Sequence, residues 1–260
     1  MQLAIIGYGK MGKLIEERAL DKGYKIAAVI DPYAEQSLRG SQVYRSLENL
    51  AQLAVKPDIA IEFTHPESAL ENLLFLARAK IPSVTGTTGW FDKLPDLKKE
   101  VEANNTSLFW APNFSLGMNL FYRIAEYTSG ILDPFPEYDA AGFEVHHNKK
   151  ADSPSGTAKE IAQRALSKMK RKTKAVYEML DRPPASDELH FASLRVGSVP
   201  GTHTLVFDSP ADSIEITHTL RNREGLVAGA LRAAQWLFEQ KKTGVFTMDD
   251  MLSDIIQRSS

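Results

Sequence analysis

The chain has 260 residues, of which 43% are hydrophobic and 25% charged, with a formal net charge of -2 and no cysteine. That length carries a sizeable core in one or two domains, and the charge gives nucleic acid no bulk attraction. Disulfides, thiolate nucleophiles and cysteine metal sites are excluded, which fits a cytoplasmic protein. The opening Met1–Gly7 run has no basic leader, and no stretch approaches the uninterrupted apolar length of a membrane span.

Gln2 to Ile6 is a short apolar run before a glycine cluster and predicts a buried parallel strand. Lys13 to Asp21 has helical spacing, with Gly23 as its stop. Strands are expected over 25–30, 58–63, 81–85 and 107–111, and helices over 47–53, 67–79 and 94–104. This alternation implies an α/β fold of Rossmann type, a doubly wound parallel sheet. Ligands of such sheets bind beyond the carboxyl ends of the strands. There lie Phe63-Thr64, Gly86-Thr87-Thr88-Gly89 and Ala111-Pro112-Asn113-Phe114.

After Ser115 the texture changes. A long helix over 116–129, with Leu120, Ile124 and Tyr127 at helical spacing, precedes strands over 140–147, 189–195, 202–207 and 213–220. One strong helix, 157–170, interrupts them, so a mixed or antiparallel sheet in a second, α+β domain is expected. Lys168 to Lys174, with five basic residues in seven, is expected to be a solvated helix end and loop. The helix over 225–240 is expected to return to the first domain. The expected organisation is 1–114 plus 226–260 for dinucleotide binding, and 115–225 for substrate binding and oligomerisation.

Gly7-Tyr8-Gly9-Lys10-Met11-Gly12 matches the dinucleotide turn G-x-G-x-x-G. It follows a strand and opens a helix, and Asp31 ends the second strand at about the spacing expected for a ribose-binding acid. A carboxylate there repels a 2′-phosphate, and no arginine stands beside it, so NADH is favoured over NADPH. Asp31 also suits a plain Asp-Pro turn, and Lys10 is placed to reach a phosphate.

The densest chemistry is Glu144-Val145-His146-His147-Asn148-Lys149-Lys150-Ala151-Asp152-Ser153-Pro154-Ser155-Gly156-Thr157-Ala158. An imidazole titrates near neutral pH and exchanges protons. An ammonium is a point charge for a carboxylate. Free amides at a helix start attract a second anion. The segment therefore suits binding and protonating a small dianion. Ser155 is equally fitted to cap the helix that follows. Adjacent strand residues point to opposite faces, so the histidine pair is not expected to ligate one metal ion.

On this block the chain resembles the 4-hydroxy-tetrahydrodipicolinate reductase (dihydrodipicolinate reductase) family of lysine and diaminopimelate biosynthesis. The resemblance extends to the glycine turn, Phe63-Thr64, Gly86 to Gly89, Ala111 to Ser115, Arg195 to His203 and Gly244 to Leu252. It implies an NAD(P)H-dependent oxidoreductase, cytoplasmic and homotetrameric through the second-domain sheet. His146 and Lys150 would be catalytic, and His147, Gly156 and Thr157 would bind a dicarboxylate substrate. Gly7, Gly9, Lys10, Met11, Gly12, Asp31, Phe63, Thr64, Gly86, Thr87, Thr88, Ala111, Pro112, Asn113 and Phe114 would hold the cofactor. Two other functions remain open on the glycine turn alone: another NAD-linked oxidoreductase of amino acids or sugars, and an NADH-sensing protein without turnover.

Overall fold

In the computed structural model, which describes residues 1–259, the elements run in chain order. They are β1 (Gln2–Ile6), α1 (Lys10–Asp21), β2 (Lys25–Ile30), β3 (Val43–Tyr44), β4 (Ile59–Glu62), α2 (Pro66–Arg78), β5 (Ser83–Thr85), α3 (Leu94–Ala103), β6 (Ser107–Trp110), α4 (Leu116–Leu132), β7 (Asp139–His146), α5 (Gly156–Leu166), β8 (Lys174–Val176), β9 (Glu188–Arg195), β10 (Thr202–Asp208), β11 (Ser213–Thr219), α6 (Glu224–Gln240), β12 (Gly244–Phe246) and α7 (Met248–Ser259). Leu47–Gln52, expected as a helix, is a single 3-10 stretch. Two compact units result: Met1–Leu116 with Glu224–Ser260, and Gly117–Arg223.

The first unit holds a parallel sheet in the order β12-β6-β5-β4-β1-β2-β3. β1 shows why it is two-sided. Leu3 and Ile5 enter one core with Ile15 of α1 and Val227, Ala230 and Leu231 of α6. Ala4 and Ile6 enter another with Leu50 and Leu76. A strand buried on both faces needs an unbroken apolar run, which 3–6 supplies. The chain adds β2 and β3 on one side of β1, then crosses to add β4, β5 and β6 on the other. The order reverses between β1 and β4, the kind of point where such sheets open a ligand crevice. α6 is tied into this unit by Arg18 to Glu224 at 2.5 Å and by Tyr24 Oη donating to Gln235 at 3.1 Å.

The second unit holds a mixed sheet in the order β11-β10-β7-β9-β8. β10 is antiparallel to β7 and β11, while β7 and β9, and β8 and β9, are parallel. Phe121, Tyr122 and Ala125 of α4 and Ala158, Ile161, Ala162 and Ala165 of α5 pack with Leu189, Phe191, Leu205 and Phe207 of the strands. Among the described residues, no helix is long and apolar enough to cross a membrane.

Leu120, Ile124 and Tyr127 face outward, at 36%, 50% and 71% exposure. α4 is apolar on more than one face, so spacing alone does not choose the buried one. One expectation changes, that of a wholly solvated basic run. Lys172 there is 4% exposed: its ammonium donates to the Glu188 carbonyl at 2.6 Å and pairs with Asp139 at 2.7 Å. A lysine stem buries readily when its charged end is so matched.

Candidate active site

In the first unit the glycine turn is shaped by close approach. A side chain on Gly7, whose φ is +89°, would lie 2.2 Å from the Phe63 carbonyl oxygen, and one on Gly12 would lie 2.1 Å from that of Gly7. Only glycine meets both constraints. Gly9 is different: nothing lies within 4 Å of where its Cβ would be. It begins α1 with no capping side chain, and no acidic residue stands in the first turn. That open helix start, with its positive dipole end, suits a pyrophosphate.

Asp31 is doubly employed. Its Oδ2 accepts from the Tyr8 amide at 2.7 Å, and its Oδ1 accepts from Tyr33 and Ala34 amides at 2.8 and 3.0 Å. The carboxylate thus braces the glycine turn and its own Asp-Pro turn. Oδ1 is thereby filled, and Oδ2 keeps a further lone pair for a ribose hydroxyl. The Tyr8 hydroxyl donates to buried Glu16 and accepts from the Leu38 amide at 2.8 Å. Burial, helped by Glu16, pushes this phenol up to about 12.

Glu62, fully buried at the end of β4, knots the next turns together. It accepts from Thr64 Oγ1, from the Thr64 amide at 3.1 Å, from Thr85 Oγ1 at 2.5 Å and from Thr87 Oγ1 at 3.1 Å. Thr87 Oγ1 also accepts from the Thr64 amide at 2.9 Å, and its carbonyl accepts from Trp90 Nε1 at 2.7 Å. Phe63, Thr64, Gly86 and Thr87 therefore share one support, with Thr88 exposed beside them. The Phe63 and Phe114 rings lie 6.0 Å apart, and Asn113 Oδ1 accepts from the Ser115 amide at 2.8 Å, which shapes the 111–114 turn.

In the second unit β7 ends at His146, and the loop to α5 carries the rest. Lys150 pairs with Asp152 at 2.7 Å, and that contact holds the Asp152 carboxyl below its ordinary range. Ser155 caps α5, accepting from the Ala158 amide at 3.0 Å. Gly156 is exposed with open space at its Cβ position, and no acidic residue stands in the first turn. Thr157 meets the hydroxyl of Tyr122, a phenol that burial pushes up to about 12. The Nδ1 of His147 is buried and has no hydrogen-bond partner.

Beneath this loop lies Glu144, fully buried. It accepts from the Ser155 amide at 2.9 Å, Ser155 Oγ, Ser193 Oγ at 2.9 Å and Arg195 Nη2 at 3.2 Å. Burial raises its carboxyl, but His203, both Ser155 donors and Ser193 outweigh that and hold it far below the usual carboxylate range. His146 Nδ1 and His203 Nε2 each stand 3.3 Å from Glu144 Oε2. Burial pushes His146 down to about 4; Glu144 opposes this, while His203, Lys150 and Arg195 reinforce it.

Glu62, Glu144, Arg195 and His203 escape the motif reading because they act through other side chains. Glu144 begins the reactive block, and Arg195 and His203 bound the segment 195–203, but spacing alone assigns them no role. Glu144, His146 and His203 have the donor types of a metal centre, their ligand atoms lying within 4.8 Å of one another. The Arg195 guanidinium beside Glu144, and the other donors its carboxylate accepts, oppose a cation there.

The model of the dihydrodipicolinate reductase N-terminus matches residues 1–114, and that of its C-terminus matches 117–252. The chain is 36% identical over 257 residues to the 4-hydroxy-tetrahydrodipicolinate reductase of Christiangramia forsetii, covering 99% of this chain and all of the relative. It is 34% identical to that of Archaeoglobus fulgidus, covering 97% of this chain and all of the relative. A dihydrodipicolinate reductase from Paenisporosarcina sp. TG-14, solved with dipicolinate bound, superposes with a TM-score of 0.78 at 24% identity, covering 95% of this chain and 97% of that one. Two domain models that together span nearly the whole sequence, and full-length relatives above 30% identity, leave one conclusion: the chain belongs to the dihydrodipicolinate reductase family.

Proposed function

We propose that this chain reduces 4-hydroxy-tetrahydrodipicolinate to tetrahydrodipicolinate in lysine and diaminopimelate biosynthesis. The observation that carries the reading is the second-unit loop: a buried histidine on a carboxylate, a lysine and a helix start, the latter two both held by Asp152, stand within one short segment. A nicotinamide nucleotide, when bound, supplies hydride to ring carbon 4 of the substrate.

This chain's own residues do the rest. The open start of α1 takes the pyrophosphate, with Lys10 and Met11 alongside, and Asp31 takes the ribose. Phe63, Thr64, Gly86 to Thr88 and Ala111 to Phe114 line the nicotinamide side. The 1–114 and 226–260 segments bind dinucleotide, and 115–225 binds substrate. Two substrate carboxylates need two anion sites. The amides and hydroxyl of Gly156-Thr157 are one, Lys150 is the other, and His147 binds alongside. As water leaves and electron density moves to the ring nitrogen, His146 or Lys150 moves the proton. In the ligand-free protein His146 is neutral, so the incoming dianion is what favours its charged form.

Asp31 with no adjacent arginine supports NADH over NADPH. Exposed Leu194, Val196 and Ile214 in the second unit support a homotetramer, and the absence of cysteine suits the cytoplasm.

The test is consumption of NADH or NADPH by the purified chain, fed with pyruvate, aspartate semialdehyde and the preceding synthase. Turnover that depends on the synthase is expected. Cofactor binding without turnover would leave a sensor, and turnover only with other amino acids or sugars would leave another dehydrogenase. General acid catalysis contributes about 10²–10⁴-fold, so His146→Gln should lose about that much turnover with nucleotide affinity intact. Lys150→Ala should lose turnover and substrate affinity together.

A further inference from the structure

We propose that Glu144 and His203 are positioning residues for His146: Glu144 fixes the proton on Nδ1, and Gly201 keeps the reactive Nε2 uncovered. This rests on the role given to His146 above.

The sheet builds the device. Ser193, Glu144, His203 and His218 are register neighbours across β9, β7, β10 and β11, so one polar row crosses four strands. Two residues along β7 from Glu144, His146 is the register neighbour of Arg195. Ser155, Ser193 and Arg195 leave the Glu144 carboxylate little freedom to turn. Its Oε2 meets His146 Nδ1 at 3.3 Å, off the line of a hydrogen bond, and both nitrogens beside it belong to buried rings set edge-on at 5.1 Å.

At that distance a carboxylate oxygen attracts an N–H and repels a lone pair. The neutral His146 ring therefore carries its proton on Nδ1 and presents the Nε2 lone pair. By the same argument His203 carries its proton on Nε2. On the far side of His146, a side chain on Gly201 would lie 2.9 Å from Nε2. Glycine there leaves the reactive nitrogen accessible. The charged or titratable groups acting on His146 are Glu144, which favours its protonation, and His203, Lys150 and Arg195, which oppose it. His218 acts on the far side of His203.

Two measurements on the full chain test this. The first is the pH profile of kcat with NADH and synthase-generated substrate. Glu144→Gln should lower kcat by roughly tenfold or more and move the His146 limb to lower pH. His203→Gln should move that limb to higher pH. Opposite shifts are not produced by a general loss of packing. Limbs that coincide with wild type in both variants would overturn the proposal. If Glu144→Gln does not fold, His203→Gln decides alone: an upward shift supports the proposal and an unmoved limb overturns it. The second is the nitrogen chemical shifts of histidine-labelled protein, which report tautomers without turnover. His146 should be the Nδ1–H form in wild type, and the Nε2–H form there overturns the proposal. This arm stands even if wild type proves inactive, an outcome that sinks the reductase reading instead. Stoichiometric metal in the purified protein would also overturn it, because both imidazoles would then be ligands.

Discussion

His146 shows how a single buried imidazole couples proton uptake to stability. Its folded state titrates at about 4 against an ordinary 6.5, chiefly through burial. Below pH 6.5 the unfolded chain takes up a proton that the folded chain refuses, so stability falls as pH falls, and this loss is complete near pH 4. His218, lowered by burial and by His203, acts in the same direction. Replacing His146 with Asn should flatten the decline. Urea midpoints measured across that window should fall less steeply for His146→Asn than for wild type. Parallel slopes would mean that the folded imidazole is protonated as readily as the unfolded one. The role proposed for His146 sets the opposite need, because a proton donor must charge once a dianion arrives.

At the scale of elements, α5 depends on one serine. Ser155 supplies the cap, and its hydroxyl and amide both serve buried Glu144. Removing a serine cap costs about 1 kcal/mol, and removing a hydrogen bond to a charged buried group costs about 1.5–3 kcal/mol. Ser155→Ala should therefore lose about 2.5–4 kcal/mol in denaturant unfolding. A loss under about 0.5 kcal/mol, the level of a neutral surface change, would show that the cap and carboxylate contacts are dispensable. This cap was legible in the sequence, as were the strands of the first sheet, because alternation, glycine stops and apolar runs are local signals. The short edge strands β3 and β12 were not, at two and three residues, because pairing with a neighbour defines them. Strand β8 follows a basic run whose Lys172 is buried by Glu188 and Asp139, partners well separated in sequence. The reactive loop was legible as a motif. Its support by Glu144, His203 and Arg195 was not, since register across β7, β9 and β10 brings those residues together.

At the scale of the molecule, the residues proposed for nucleotide and those proposed for substrate fall on separately cored units, one around β1 and α6, the other around Phe191 and Phe207. Sequence-distant turns converge within the first through Glu62, and sequence-distant strands converge within the second through Glu144. Each ligand should then leave its own footprint in amide hydrogen exchange. A ligand that binds only the folded state stabilises it by RT ln(1 + [L]/Kd), about 2.7 kcal/mol at roughly a hundredfold excess over Kd, so exchange that needs the bound segment to open slows by about two orders of magnitude. NADH alone should protect Gly7 to Gly12, Phe63-Thr64 and Gly86 to Thr88. Dipicolinate alone should protect His147 to Thr157, where the Lys150 loop and the α5 start are proposed to meet its two carboxylates. Dipicolinate protection confined to the glycine turn would place the dianion on the pyrophosphate site and remove Lys150, Gly156 and Thr157 from substrate binding. Protection of the α5 start that persists in Lys150→Ala but weakens with salt would leave the helix amides as the main anion site and reduce Lys150 to a proton carrier.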